Sequence, residues 1–124
     1  MTPSVNLDEL YLILRDVASK KKIWSYTELS EEYRQRFHVW HEPHGSWDVP
    51  LGEINTRTHS VGLPALSAVI TYKPEQGSSH GPPGKGFWGT PGVPPRPARK
   101  DDQYDEWIKI LNTVHAAKWP AGLP

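Results

Sequence analysis

The chain has 124 residues, a length that suits one domain with one modest core. Fourteen Lys and Arg side chains balance fourteen Asp and Glu side chains, so a nucleic-acid interface would have to be a local basic patch. The absence of cysteine excludes disulfides, thiol catalysis and thiolate metal sites, and no apolar run approaches the ~20 residues of a membrane span. With no signal-peptide pattern at the N-terminus, we expect a cytoplasmic protein without membrane contact.

Two amphipathic helices are predicted in the first third of the chain. Apolar residues from Leu7 to Ala18 recur at helical spacing, and Asn6 precedes them as an N-cap. The stretch Ser25-Tyr26-Thr27-Glu28 matches a capping box and predicts a second helix from about Tyr26 to Phe37.

A loop and a third helix follow. The stretch from His38 to Pro50 is predicted to be a loop because of its proline, glycine and serine content. The helix after it is predicted to end at Gly62. Its inner face would carry Leu51, Ile54, Thr58 and Val61, and its outer face Glu53, Asn55, Thr56, Arg57 and His59.

The most apolar run of the chain, from Ala65 to Tyr72, predicts a buried strand introduced by Pro64. From Lys73 to Lys100 the proline and glycine content excludes a regular helix. Within it, Phe87-Trp88 is predicted to form a short return strand that pairs with the first. The last predicted helix runs from about Asp102 to Lys118, with an inner face of Tyr104, Trp107, Ile108, Leu111, Val114 and His115.

Three helices followed by a two-stranded wing is the element order of a winged helix-turn-helix. We therefore predict an α+β fold, a small winged-helix-like domain with a long Pro/Gly-rich wing and a C-terminal helix. It would be a single domain over 1–124, with a helical part at 1–62, the strand and wing at 63–100 and the last helix at 101–119.

Four motifs resemble, in their order, a family of small uncharacterised proteins and domains from bacteria, phages and mobile elements. They are SYTEL at 25–29, LGEI at 51–54, GLPALSAVI at 62–70 and PGKGFW at 83–88. The resemblance spans about residues 23–119 and implies a mobile-element or defence context, without supplying catalytic residues. A weaker resemblance is to the winged-helix half of alkyltransferase-like proteins. Their Pro-Cys-His-Arg reactive motif has no counterpart, because Pro64 is followed by Ala65 and Leu66.

The residues favour no catalytic or metal site. His38, His41 and His44 lie three apart in a loop, but without regular structure this spacing is not specific for zinc or nickel, and metal binding there stays open. The acidic residues show no D-x-n-E-x-K arrangement of a nuclease, and Asp101 and Asp102 suit a helix start. We predict no enzyme activity and no cofactor.

The leading functional prediction is non-enzymatic DNA binding. The polar side chains of the third helix suit the reading of base edges, since Arg reads guanine and Asn reads adenine. The wing adds cations that would follow phosphates. The predicted contact residues are Asn55, Thr56, Arg57, His59, Lys73, Lys85, Arg96, Arg99 and Lys100.

The alternative prediction is a module that binds a protein or a small ligand. Trp40, Trp47 and Trp88 would form an aromatic surface, since aromatic residues dominate binding hot spots. The stretch from Pro91 to Pro97 favours polyproline II and suits an arm that wraps a partner or a second subunit of a homodimer.

Overall fold

The computed structural model describes residues 5–43, 45–72 and 81–124, and its helices surround a short buried segment. The elements in chain order are α1 (Leu7–Ser19), β1 (Trp24–Ser25), α2 (Tyr26–Phe37), α3 (Asp48–His59), a 3₁₀ helix (Leu66–Val69), β2 (Ile70–Thr71) and α4 (Lys100–Ala116). The predicted α+β class is confirmed. In the described ranges, no helix combines the length and the apolar character needed to cross a membrane.

The predicted starts of α1 and α2 are confirmed. The side chain of Asn6 accepts a hydrogen bond from the Glu9 amide at 3.2 Å. At α2, the Glu28 amide donates to Ser25 Oγ at 3.1 Å, and the Ser25 amide donates to Glu28 Oε1 at 3.2 Å. These bonds satisfy amides that a helix start otherwise leaves without a partner.

The apolar segment 65–71 lies at the centre of the core, but the prediction of one continuous strand is wrong. Every residue of the segment is buried. Only Ile70 and Thr71 are paired, and their partner is β1 in a parallel register, with Trp24 opposite Ile70 and Ser25 opposite Thr71. A strand needs a partner of matching length, and β1 offers two residues.

Two side chains from neighbouring helices pair the polar groups of this buried segment. Asn55 of α3 accepts a hydrogen bond from the Ser67 amide at 3.1 Å and donates one to Ser67 Oγ at 2.7 Å. Trp107 of α4 donates from its indole nitrogen to the Ala68 carbonyl at 2.8 Å. Because a buried amide or carbonyl is costly when unpaired, these bonds allow the segment to stay in the core without a full sheet.

The predicted return strand at Phe87-Trp88 is also wrong. The Phe87 amide donates to the Gly84 carbonyl at 3.1 Å, which closes a turn instead of a ladder. Both aromatic rings are buried in the core. The stretch is therefore a loop anchored by its aromatic residues, and we call residues 84–93 the covering loop.

The predicted inner faces of α3 and α4 are confirmed in part. The buried members are Leu51, Ile54, Thr58, Trp107, Leu111 and Val114. Ile108 and His115 are half-buried, and the other two predicted residues are exposed. Val61 is exposed because α3 ends at His59, so this residue no longer follows the helical spacing. Tyr104 is also exposed, in the first half of α4, where its ring packs edge-on against Trp107 at 5.7 Å between centroids.

Replacing Ser25 by Ala should lower the free energy of unfolding by about 1 kcal/mol, because the cap of α2 is lost. Urea unfolding followed by circular dichroism measures this change. The matched control is Ser60→Ala, whose hydroxyl donates only to the Arg57 carbonyl at an exposed helix end. The control should change the stability by less than about 0.5 kcal/mol. Equal effects of the two substitutions would contradict the capping role.

Candidate functional site

One flank of α3 faces the covering loop. Gly86 lies so close to Asp48 that an added Cβ would come within 2.6 Å of Asp48 Cγ. Further along, Asn55 Nδ2 donates to the Thr90 hydroxyl at 3.1 Å. At the end of the helix, an added Cβ on Gly92 would come within 3.1 Å of His59 Nδ1. Positions 48, 55 and 59 lie on one face of the helix. This face packs against the covering loop of the same chain.

The prediction that Asn55 lies on the outer face is wrong. This side chain is 0 % exposed, and its amide oxygen and nitrogen are bonded to Ser67 and Thr90. The physical reason is that the buried Ser67 amide needs an acceptor. Asn55 is therefore a structural residue, and a base edge has no access to it.

The other predicted residues of α3 do not form one continuous polar surface. Thr56 is exposed, and its hydroxyl donates to the Gly52 carbonyl of the same helix at 3.0 Å. Arg57 is exposed, and its Nε donates to the backbone oxygen of Pro124 at 2.6 Å. His59 is exposed but lies against Gly92. Thr56 and Arg57 are therefore the α3 candidates that remain accessible.

The predicted aromatic surface does not exist as a set of three rings. Trp47 and Trp88 are buried in the core, and Trp47 donates from its indole nitrogen to Ser30 Oγ at 2.7 Å. Trp40 is 47 % exposed, with the Arg34 guanidinium 5.8 Å from its ring centroid. The loops need these rings as anchors, because they contain few other large apolar side chains.

The histidine loop is not gathered around a metal position. His41 is buried among aromatic rings, 5.1 Å from the Tyr33 centroid and 5.1 Å from the Trp47 centroid, and burial lowers its pKa. His38 is exposed at the end of α2, and His44 lies outside the described residues. In the part of the chain that is described, no group of three His, Cys, Asp or Glu side chains is placed to hold a metal ion.

The structure does bring three predicted wing cations together around Tyr72, whose side chain is 49 % exposed. Lys85 and Tyr72 line one cavity of about 90 Å³. Arg96, Lys100 and Tyr72 line a second cavity of about 180 Å³. We call Tyr72, Lys85, Arg96 and Lys100 the basic face.

The cations of the basic face are available to a ligand. Lys85, Arg96 and Lys100 are exposed, and the ion pairs found within residues 5–43, 45–72 and 81–124 involve none of them. Arg99 is exposed directly before α4. Lys73, the fifth predicted wing cation, lies outside the described residues.

The smaller cavity, which we call the cleft, is lined by Tyr26, Pro43, Gly45, Asp48, Tyr72 and Lys85. Tyr26 is 7 % exposed, and its hydroxyl accepts a hydrogen bond from the Gly84 amide at 2.9 Å. Burial raises the pKa of Tyr26 to about 12, so the hydroxyl keeps its proton at neutral pH. The carboxylate of Asp48 has no hydrogen-bond or ion-pair partner among the described residues.

Sequence reasoning did not identify Tyr26, Asp48 or Tyr72 as site residues. A usable signal was the pair of glycines on either side of Lys85. An added Cβ on Gly84 would come within 2.6 Å of the Tyr72 hydroxyl, and one on Gly86 would meet Asp48 equally closely. Both glycines therefore mark where the covering loop passes over polar side chains.

Replacing Asn55 by Ala should lower the free energy of unfolding by about 1–3 kcal/mol, because the buried Ser67 amide loses its acceptor. Thr56→Ala is the matched control on the same helix, since the Thr56 hydroxyl is exposed. Its effect should stay below about 0.5 kcal/mol. Urea unfolding measures both, and a stability of Asn55→Ala equal to that of the unsubstituted chain would refute the structural role.

Gly86→Ala should destabilise the chain by about 1–3 kcal/mol, because the new Cβ overlaps the short side chain of Asp48. Gly81→Ala is the control, since a Cβ there comes within 4 Å of no atom of the described residues and the backbone needs no left-handed conformation. That control should be neutral or stabilising by up to about 1 kcal/mol. Thermal unfolding of the two variants gives the comparison, and a neutral Gly86→Ala would contradict the close approach.

Comparison with known proteins adds no family to these observations. A scan against protein-family models, a search of curated proteins and a search of solved structures each found no match. The family resemblance drawn from the four sequence motifs therefore stays a prediction.

Proposed function

We propose that the chain is a non-enzymatic DNA-binding protein whose contact surface is the basic face. The observation that carries the proposal is the gathering of Lys85, Arg96 and Lys100 around the half-exposed ring of Tyr72. In a chain with balanced charge, this is the local basic patch that nucleic-acid binding requires.

The chemistry of the basic face suits a nucleic acid strand. Lys and Arg neutralise phosphates and release the counterions condensed on them, which supplies affinity without sequence preference. An exposed aromatic ring between such cations offers a platform on which a base stacks. In the sequence, Lys73 directly follows Tyr72 and Arg99 directly precedes Lys100, so two further cations adjoin members of the basic face along the chain.

The third helix has a smaller part in this proposal. With Asn55 buried and His59 against the covering loop, Thr56 and Arg57 are its accessible candidates for contact with a duplex. The winged-helix architecture and the mobile-element or defence context remain predictions that the proposal does not need. The alternative of a protein-binding module or homodimer has less support, because two of its three tryptophans, Trp47 and Trp88, belong to the core.

The test is fluorescence anisotropy with a mixed-sequence oligonucleotide, as single strand and as duplex, over a salt series. We expect an affinity that falls steeply with salt. Arg96→Ala and Lys100→Ala should each reduce the slope of log affinity against log salt by about one, since each removes one phosphate contact.

Lys118→Ala is the matched control, an exposed cation beyond the far end of α4. The far end of α4 lies about 24 Å from Lys100 along the helix axis. The Lys118→Ala variant should therefore show the same slope of log affinity against log salt as the unsubstituted chain. Absence of binding at the lowest salt, or an equal loss with Lys118→Ala, would overturn the proposal. A loss of duplex binding confined to Arg57→Ala would move the contact surface to α3.

A further inference from the structure

We propose that the cleft binds the Watson–Crick edge of an unpaired guanine, so that the preferred ligand is a single strand that contains guanine. This inference rests on the proposed function and names the ligand of the same surface. It is carried by the position of Asp48 and Tyr26 in a cavity that Lys85 and Tyr72 share with them.

Phosphate binding does not explain why the carboxylate of Asp48 lies in the cleft. This carboxylate lines the cleft beside Lys85, yet no ion pair joins the two side chains. A carboxylate repels phosphate but accepts hydrogen bonds from base N–H groups. Guanine is the common base whose Watson–Crick edge offers two adjacent donors, N1–H and the N2 amino group. Those donors match the two oxygens of one carboxylate, whereas adenine, cytosine and thymine each place an acceptor beside their donor.

The remaining atom of the guanine edge, O6, needs a donor, and the cleft holds two. The Tyr26 hydroxyl accepts from the Gly84 amide, and its own proton has no acceptor among the described residues. The Lys85 ammonium carries three donors and is exposed. Acceptors at Asp48 and donors at Tyr26 and Lys85 thus complement the whole edge.

The ring of Tyr72 offers a stacking surface for the flat face of the base. This ring lies 5.4 Å from the Tyr26 ring and is half-exposed, so a base with its edge in the cleft has an aromatic neighbour on which to stack. The cavity of about 90 Å³ has room for several waters, and the base edge would take their place. In a duplex this edge is occupied by the partner base, which is why the ligand is a single strand.

An arginine of a partner protein also presents paired N–H donors, but its charge makes it the weaker candidate. A guanidinium in the cleft would lie beside Lys85, which repels it. Arg96 and Lys100, which line the neighbouring cavity next to Tyr72, would add to this repulsion. Guanine brings the same donors without a positive charge. The strand that carries it brings phosphates that these cations attract.

The experiment measures the affinity for an oligothymidine that carries one central dG, dA, dC or deoxyinosine. We expect the dG strand to bind about tenfold more tightly than the dA and dC strands, the discrimination typical of a bidentate contact. Deoxyinosine lacks the N2 amino group, so most of this preference should be lost with it. This comparison needs no variant and is independent of any folding defect.

Two substitutions assign the preference to the cleft. Asp48→Asn replaces one acceptor by a donor and should bring the ratio between dG and dA strands close to one. Asp101→Asn is the matched control, an exposed acid in the first turn of α4 that does not line the cleft. It should leave the ratio intact.

Three outcomes would overturn the inference. If dG binds no better than dA and dC while Lys100→Ala still weakens binding, the guanine site is wrong and the proposed function stands. If no oligonucleotide binds, the proposed function fails and the inference fails with it. If an arginine peptide binds more tightly than the dG strand and Asp48→Asn abolishes that binding, the occupant is a protein.

Discussion

The attachment of the buried segment 65–71 from two sides is the constraint on which the rest of the structure depends. Asn55 of α3 pairs the Ser67 amide, and Trp107 of α4 pairs the Ala68 carbonyl, both in the core. A 3₁₀ turn in the middle of a protein is tolerable only when its polar groups have partners. Because the partners come from two different helices, the same bonds hold α3 and α4 against the segment that leads to Tyr72. Asp48 of α3 and Lys100 of α4 each line a cavity together with Tyr72.

The covering loop uses a polar flank of α3 for internal packing. Phe87, Trp88 and Val93 anchor the loop in the core, and Thr90 joins the hydrogen bonds of Asn55. A helix flank used in this way is closed to a DNA groove. The cations near the loop are left outside, since burying an unpaired charge is far more costly than burying an aromatic ring. This division explains why the candidate interface lies beside the third helix instead of on it.

Local signals made the helices predictable, and long-range pairings made the core and the cleft unpredictable. The capping box at Ser25 and the cap at Asn6 involve residues three positions apart, so the sequence displays both partners. A strand at 65–72 depends on the length of its partner, which apolar character does not reveal. The burial of Asn55 depends on the amide of Ser67, twelve residues away. The cleft unites side chains from 26, 48, 72 and 85, and among these only Lys85 belonged to a recognisable basic stretch.

The hydrogen bond between the Gly84 amide and the Tyr26 hydroxyl links the cleft to the local stability of the covering loop. The loop can open only if this bond breaks, and opening also withdraws Lys85 from the cleft. A ligand held by Tyr26 and Lys85 therefore binds the closed loop alone and shifts the equilibrium towards it. Ligand binding in the cleft should therefore raise the free energy of loop opening, and slower hydrogen exchange of the Gly84 amide would report this increase.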